Sequence, residues 1–433
     1  MKKFIKNNYK YILSIPFFLI ILIFLNYLNA DTIWNYGMAH SIKIHELPYK
    51  DFNIITTPLY PFIMSLGLIL KDSYLTYIIE QAILCSILYF IVDKYLKNKS
   101  ILYLILISIP FFKIYVPNYN FLVYLLLLIT MLLEKNNKSY YLIGFIIGLL
   151  FLSKHTIGIV VLFLSIISSY NINKSIKKIL GFSIPCIIFL LYLLITKTIY
   201  NFIDLSILGL FSFSGNNSGV STFSIIISIS ILIFTIYKIY KNKKDIRYYY
   251  LLSTFSFIIP IVNLEHCIFL IGIFLLIVLE DYELKNVLKY KYLILIILLI
   301  FNISINISYY KNLSNNKLHY FKYRIMTKED SEYVRSIIKK YKSYKNVIMI
   351  SMDSMLYDIE TNKKISYFDI PLHGNYGYKD IDVLKKKIDN MNDTYIFIQK
   401  SNNKQFINEM CDYIKNKSKY IEKYKEYEIY YIS

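Results

Sequence analysis

The sequence predicts an all-α polytopic membrane domain, with about 11 transmembrane helices plus a re-entrant or interfacial helix, followed by a small extracytoplasmic α/β C-terminal domain. Three observations predict it: a hydrophobic content of 56% gathered into long apolar runs, an uneven distribution of lysine among the loops between them, and a change of character near residue 310. The expected domains are 1–309 and 310–433, and the expected location is the cell membrane, multi-pass, with the C-terminal domain outside the cytoplasm.

The apolar runs come first. Segments 11–28, 179–195, 223–237 and 293–307 approach the roughly 17–25 residues that cross a hydrocarbon core as a helix. A bilayer offers no water to backbone groups, so helices are the natural solution. Charged residues make up 18% of the chain, fewer than a soluble domain carries. The spans fall near 11–29, 74–92, 101–115, 119–133, 140–153, 156–170, 179–196, 222–240, 248–262, 266–280 and 292–308. Segment 58–70 is apolar but short for a full crossing, hence the re-entrant or interfacial assignment. The N-terminal MKKFIKNNYK before an apolar run resembles a signal, but the run exceeds a usual signal core and reads as an uncleaved anchor.

This span set puts Lys2, Lys3, Lys6, Lys10, Lys94, Lys97, Lys99, Lys135, Lys138, Lys174, Lys177, Lys178, Lys241, Lys243, Lys244, Arg247, Lys285, Lys289 and Lys291 on one side. The other side receives only Lys43, Lys50, Lys71, Lys113, Lys154 and Lys197 before the tail. That asymmetry marks the cytoplasmic face, and an odd number of spans then carries the tail outside. It also accounts for much of the net charge of +20, so no nucleic-acid partner is expected. Cys85, Cys186, Cys267 and Cys411 are scattered, with no metal-site or disulfide spacing; no metal or cofactor is expected.

In the tail, 347–350 and 395–398 are short strand-type runs, and 429–432 reads as a last strand. Segments 328–341, 380–388 and 405–414 have helical spacing with charged faces. Alternation of the two types predicts a small α/β domain. No glycine-rich phosphate loop follows a strand, so no nucleotide site is assigned.

The first outer loop is the richest in chemistry. It runs from Asp31 through the only tryptophan, Trp34, and through His40 and His45 to Asp51, then to Thr57-Pro58-Leu59. A carboxylate at Asp31, just past the first span, has the chemistry to take a proton from an attacking hydroxyl, and Asp51 to do the same or to position the acceptor; an interfacial acid is also often merely solvated. Lys154 interrupts an apolar stretch from Leu142 to Ile167. A charge there is expensive unless paired or hydrated, and its two readings are phosphate neutralisation or snorkelling to the interface. His155 is its neighbour, as partner or interface residue. Glu265 and His266 form a polar pair at an outer turn, suited to holding a phosphate or simply to making the turn.

Asp31, the aromatic-rich stretch, and Leu47-Pro48-Tyr49-Lys50-Asp51-Phe52 followed by Pro58-Leu59 resemble the first loop of the GT-C glycosyltransferases. The similarity is to the protein O-mannosyltransferase and aminoarabinose-transferase branch. Segment 144–154, with His155, Thr156 and Gly158, resembles that superfamily's Gly-rich helix ending in lysine, and Glu265-His266 its His-containing segment before a late span. The resemblance implies transfer of a hexosyl or pentosyl group from a polyprenyl-phosphate-linked sugar to a lipid, glycan or protein hydroxyl, within membrane lipid. It implies Asp31 as base supported by Asp51, and Lys154, His155, Glu265, His266, Asn120 and Tyr49 as substrate-binding residues. The chain departs from the pattern at Thr32 and at Pro117-Asn118-Tyr119-Asn120, where many members carry an acid; an amide binds a hydroxyl but cannot act as a base. A glycan polymerase or ligase with a similar donor is the enzymatic alternative. A lipid-linked glycan transporter or flippase is another, although no internal repeat of the kind such proteins show is evident. A non-catalytic envelope scaffold is the third.

Overall fold

The computed structural model describes residues 2–25, 30–96, 117–215, 221–259, 262–281, 319–320, 325–326, 328–402 and 406–433. The expected spans 101–115 and 292–308, and the expected domain boundary at 309/310, lie outside them. The chain is mostly helical and forms two compact units. One comprises Met1–Asn26, Ile78–Leu191 and Gly219–Asn312; the other comprises Tyr27–Tyr77, Tyr192–Ser218 and Leu313–Ser433.

The helices are α1 (Lys2–Leu25), α2 (Ala30–Lys43), α3 (Leu59–Leu70), α4 (Tyr74–Tyr95), α5 (Tyr119–Lys135), α6 (Tyr140–Phe151), α7 (His155–Ile167) and α8 (Ile172–Ile195). After an irregular helical stretch over 199–215, α9 (Thr222–Lys241), α10 (Ile246–Ser253) and α11 (Leu264–Asp281) follow. Three are long and apolar enough to cross a bilayer: α4, α8 and α9. In α8 and α9 only 28% and 22% of the apolar window is buried, leaving apolar faces far larger than a water-soluble surface tolerates. The other apolar helices are shorter. At 1.5 Å per residue α6 and α7 reach about 18–20 Å, against a core of about 30 Å.

Two expectations are corrected. The first outer loop is not a loop over 30–43 but helix α2. The span expected at 248–262 is not one continuous helix: α10 ends at Ser253 and a 3-10 turn, Thr254–Phe257, follows. The hydroxyls of Ser253, Thr254 and Ser256 each donate to the carbonyl three residues back, at 2.7, 2.6 and 2.6 Å. Such back-bonding competes with the α-helical ladder. Segment 58–70 does form a single short helix, α3.

In the helical unit, α6 and α8 cross at glycines. A Cβ on Gly144 would lie 2.0 Å from the Lys178 carbonyl oxygen, and one on Gly181 2.0 Å from that of Tyr141. Small residues let helix backbones approach where lipid supplies no hydrophobic drive. The crossing places Lys178, fully buried, beside Glu134 at 2.5 Å. Its remaining donors reach Ser165 O at 3.1 Å and the hydroxyls of Ser165 and Ser169, each at 2.9 Å. The same end of the unit gathers Lys135–Glu280 at 2.6 Å, Arg247 with Asp245 and Asp281, each at 2.6 Å, and Tyr11 with Asp93.

In the other unit, α2 packs on α3 and on α13 (Ser354–Glu360); α12 is Lys328–Lys342. Trp34 Nε1 donates to Met352 O at 3.2 Å, and a Cβ on Gly37 would lie 2.6 Å from the Met355 sulfur. A two-residue antiparallel pair, β1 (His319–Tyr320) with β2 (Ile325–Met326), precedes the sheet. The sheet itself has the order β3 (Val347–Ile350), β4 (Thr394–Ile398), β6 (Tyr427–Ile432), β5 (Lys419–Tyr424). Strands β3 and β4 are parallel, joined through α13 and α14 (Asp380–Asp389). Helix α15 (Asn408–Lys417) leads to the antiparallel β5–β6 hairpin. Strand β5 was not expected: its exposed lysines and glutamate mask the strand pattern. Ile337, Met349, Ile396, Phe397 and Ile429 form the core.

Two carboxyls are buried in this unit, Asp358 at 2% and Asp369 at 4% exposure. They hydrogen-bond each other, which requires a proton on one, since two carboxylates have only acceptors. Tyr341 donates to Asp358 and the Ser366 N–H to Asp369, each at 2.7 Å. Burial pushes both pKa values up. An acid raised in the fold contributes stability that is full below the ordinary carboxylate range and is lost as pH rises through its folded value. Asp369→Asn stays neutral and still donates to Asp358. Hydrogen-exchange protection of β3 and β4, corrected for intrinsic rates, is therefore expected to fall between about pH 5 and about pH 9 in the native chain, and to fall less in the variant. An equal fall in both contradicts the shared proton.

Candidate functional site

At the end of the helical unit opposite the ion pairs, the start of α5, the α6–α7 turn and the start of α11 supply a polar cluster. The two ends are separated by the length of α5, about 25 Å. Asn118 caps α5 by accepting from the Phe121 N–H at 3.1 Å, and Gln81 Nε2 donates to the Pro117 carbonyl at 2.8 Å. This fixes Tyr119 and the buried Asn120 in the first turn. The α6–α7 turn is tight because a Cβ at Gly158 would strike the Phe151 Cα at 2.4 Å. Lys154 stands in that turn as the N-cap residue of α7.

Lys154 is partly exposed. Its ammonium donates to Asn120 Oδ1 at 3.1 Å and lies 5.8 Å from the centre of the Tyr119 ring. Among the described side chains, no carboxylate lies within ion-pairing distance of it. Lys178 shows the contrast: buried in the same unit, it is matched by Glu134. A neutral amide orients an ammonium but leaves its charge uncompensated, so this end of the unit attracts an anion.

His266 sits in the first turn of α11. Asn263 Oδ1 accepts from the His266 backbone N–H at 3.0 Å and lies 2.7 Å from its Nδ1. Because that oxygen already accepts from the backbone, the facing Nδ1 carries the hydrogen. The neutral ring then has Nε2 as an acceptor, and donation from Nε2 to a phosphate requires the imidazolium. Lys154 is near enough for its charge to act on this ring. The structure thus brings together Asn120, Lys154 and His266. His155 is buried one residue on, its ring against Phe151 with centroids 6.4 Å apart. Glu265 lies in the first turn of α11 beside His266.

The remaining expected residues belong to the other unit. Asp31 lies in the first turn of α2. Asp51 is exposed, and one of its oxygens accepts from the Leu47 N–H at 2.8 Å, closing the 47–51 turn. Tyr49 is buried at a positive φ of 67°. Its hydroxyl donates to the Thr56 carbonyl at 2.7 Å, and its own carbonyl accepts from Asn201 Nδ2 at 2.7 Å. These contacts make Tyr49 a lock for the turn that presents Asp51.

His40, prominent in the sequence, is committed to Asp72 at 2.9 Å, with Tyr36 at 2.8 Å and Lys43 at 3.4 Å from the same carboxylate. Burial alone raises Asp72, but these partners outweigh it and hold the carboxyl well below its usual range. Among the described residues no three His, Cys, Asp or Glu side chains come together to hold a metal. Sequence reasoning missed Tyr119 and Asn263. Each adjoins a residue it did single out, Asn120 and His266, and a polar side chain three residues before a helical histidine is the signal that finds the second.

Asn120→Asp places a carboxylate beside the Lys154 ammonium in nearly the same volume. The expected result is about tenfold weaker binding of a short-chain prenyl phosphate by the purified chain, with thermal stability retained or raised. Unchanged binding contradicts an anion-receiving role for Lys154. In comparisons with known proteins, no family model, curated protein or solved structure matches the chain.

Proposed function

We propose that this chain is a multi-pass membrane glycosyltransferase of GT-C type, moving a sugar from a polyprenyl-phosphate donor to an extracytoplasmic lipid, glycan or protein hydroxyl. The observation that carries the reading is the Lys154 ammonium, oriented by Asn120 and uncompensated among the described side chains, at one end of an apolar helical unit. A lipid-linked phosphate presents its charge at that depth. The first-loop resemblance supplies the rest: an acid directly after the first hydrophobic segment, and the Pro-Tyr-Lys-Asp-Phe turn. The clustering of Lys135, Lys178 and Arg247 at the opposite end of the helical unit supports that end as the cytoplasmic one, with the C-terminal domain outside.

In this mechanism the acceptor oxygen attacks the anomeric carbon as the carbon–oxygen bond to phosphate breaks, its electron pair leaving with the phosphate. The acceptor proton passes to Asp31. Lys154 neutralises the charge that grows on the departing phosphate, the electrostatic contribution that usually dominates such a step. A neutral His266 accepts a hydrogen bond at Nε2, suiting it to a sugar or acceptor hydroxyl. Asp51 holds the 47–51 turn and acts by position. The attack inverts the sugar carbon and needs no covalent enzyme intermediate.

Transfer from a polyprenyl-phosphate sugar to the native acceptor in proteoliposomes tests the assignment. Asp31→Asn keeps size and hydrogen bonding but not basicity, and is expected to lower turnover at least about a hundredfold with donor binding intact. Asp51→Asn is expected to cost less than about tenfold, because an amide oxygen still accepts from the Leu47 N–H. Loss confined to the Asp51 variant reverses the two roles; full activity in both removes catalysis from this segment.

A further inference from the structure

The ion-paired end of the helical unit contains a cavity of about 360 Å³ that the proposed transfer does not use. It lies between the C-terminal end of α5 and the α9–α10 connection. Its wall includes Lys135, Lys244 and Arg247 against a single carboxylate, Asp245, with Asn242 and Tyr250.

The cations differ in how they are held. Lys135 is fixed by Glu280 at 2.6 Å and by the Tyr95 carbonyl. Arg247 is fixed by Asp245 at 2.9 and 2.6 Å and by Asp281 at 2.6 Å. An ammonium has three donors and a guanidinium five, so these pairs position both groups without exhausting them. Lys244 is exposed, and among the described side chains no carboxylate lies within ion-pairing distance of it. Tyr250, on the wall, donates to Glu134 at 3.1 Å, which ties the cavity to the buried Lys178 pair. Lys241 and Lys243, both exposed, adjoin the opening in sequence.

The depth of the cavity can be read from aromatic side chains. Tyr237 and Tyr240, on the last turns of α9, are 50% and 79% exposed, and Tyr170, past the end of α7, is 58% exposed. Tyr170 and Tyr249 meet through their hydroxyls at 2.7 Å, so these tyrosines belong to the same end of the unit. Exposed tyrosines at the end of apolar helices mark the headgroup level of a bilayer. A basic pocket between helices at that level has the chemistry of a lipid-phosphate site.

We infer that this cavity binds the phosphodiester headgroup of an anionic membrane phospholipid, with Lys244 as the uncompensated cation and Lys135 and Arg247 as fixed donors. The inference rests on the chain lying in a membrane and not on the transfer reaction. The lipid serves here as a ligand of the fold, at the end opposite Lys154.

The test uses the full-length chain carrying Lys154→Gln, so that the other cation is silent, purified in a neutral detergent. Binding of dioctanoyl phosphatidylglycerol, dioctanoyl phosphatidylcholine and inorganic phosphate is measured for this protein and for added Lys244→Glu or Lys419→Glu. Lys419 is exposed on β5 and controls for net charge. Phosphatidylglycerol is expected to bind, phosphatidylcholine at least about tenfold more weakly, with Lys244→Glu weakening phosphatidylglycerol about tenfold and Lys419→Glu less than twofold. Because Lys244 is exposed, its variant is expected to unfold at the same temperature as its parent. Equal binding of the two lipids, equal loss in the two charge variants, or displacement of phosphatidylglycerol by equimolar inorganic phosphate overturns the proposal. The last outcome marks a free-phosphate site.

Discussion

The Lys178–Glu134 pair is the contact on which the helical unit depends. The backbone carbonyl of Lys178 is what Gly144 approaches, while its side chain reaches Glu134 on α5 and the serines at the end of α7. Tyr250 of α10 donates to the same glutamate. One residue thus couples five helices. Removing one partner of such a buried pair typically costs about 3–5 kcal/mol, because the other charge is left stranded. The pair specifies which helices meet; the surrounding apolar contacts do not distinguish among many similar leucine and isoleucine faces.

The same crossing sets the geometry at the far end. With α6 held against α8 through Gly144 and Gly181, and α7 against α6 through Gly158, the turn carrying Lys154 has one place to go. There it meets Asn120, whose position follows from the Asn118 cap. The unit therefore has two ends of opposite electrostatic design. At one, cations are matched by carboxylates and serve architecture. At the other, a cation is oriented by an amide and its charge is left for a ligand.

Much of the secondary structure was legible because it follows from hydrophobic pattern alone. The runs that became α4, α8 and α9, the short helix at 59–70, and strands β3, β4 and β6 follow directly from periodicity and length. Lys154 was legible as a charge inside an apolar stretch. What escaped depends on distant contacts. Helix α2 mixes aromatic, small and polar residues because Trp34 and Gly37 face Met352 and Met355, more than three hundred positions away. No local pattern announces that. Lys178 reads as one loop-flanking lysine among many, since only the fold brings Glu134 to it. Tyr49 and His40 looked available for chemistry because their partners, Thr56, Asn201 and Asp72, cannot be assigned from spacing. Asn120 appeared as a missing acid, whereas its amide is what leaves the Lys154 charge uncompensated.

The central claim is that Lys154 is held in place as a receptor for phosphate. The most direct measurement compares the affinity of the purified chain for polyprenyl phosphate with that for the matching polyprenol, before and after Lys154→Gln. The lipid tail is common to both ligands, so their ratio isolates recognition of the phosphate. A preference for the phosphate of at least about tenfold that collapses to near unity in the variant is the expected result. A preference that survives the loss of the ammonium contradicts it.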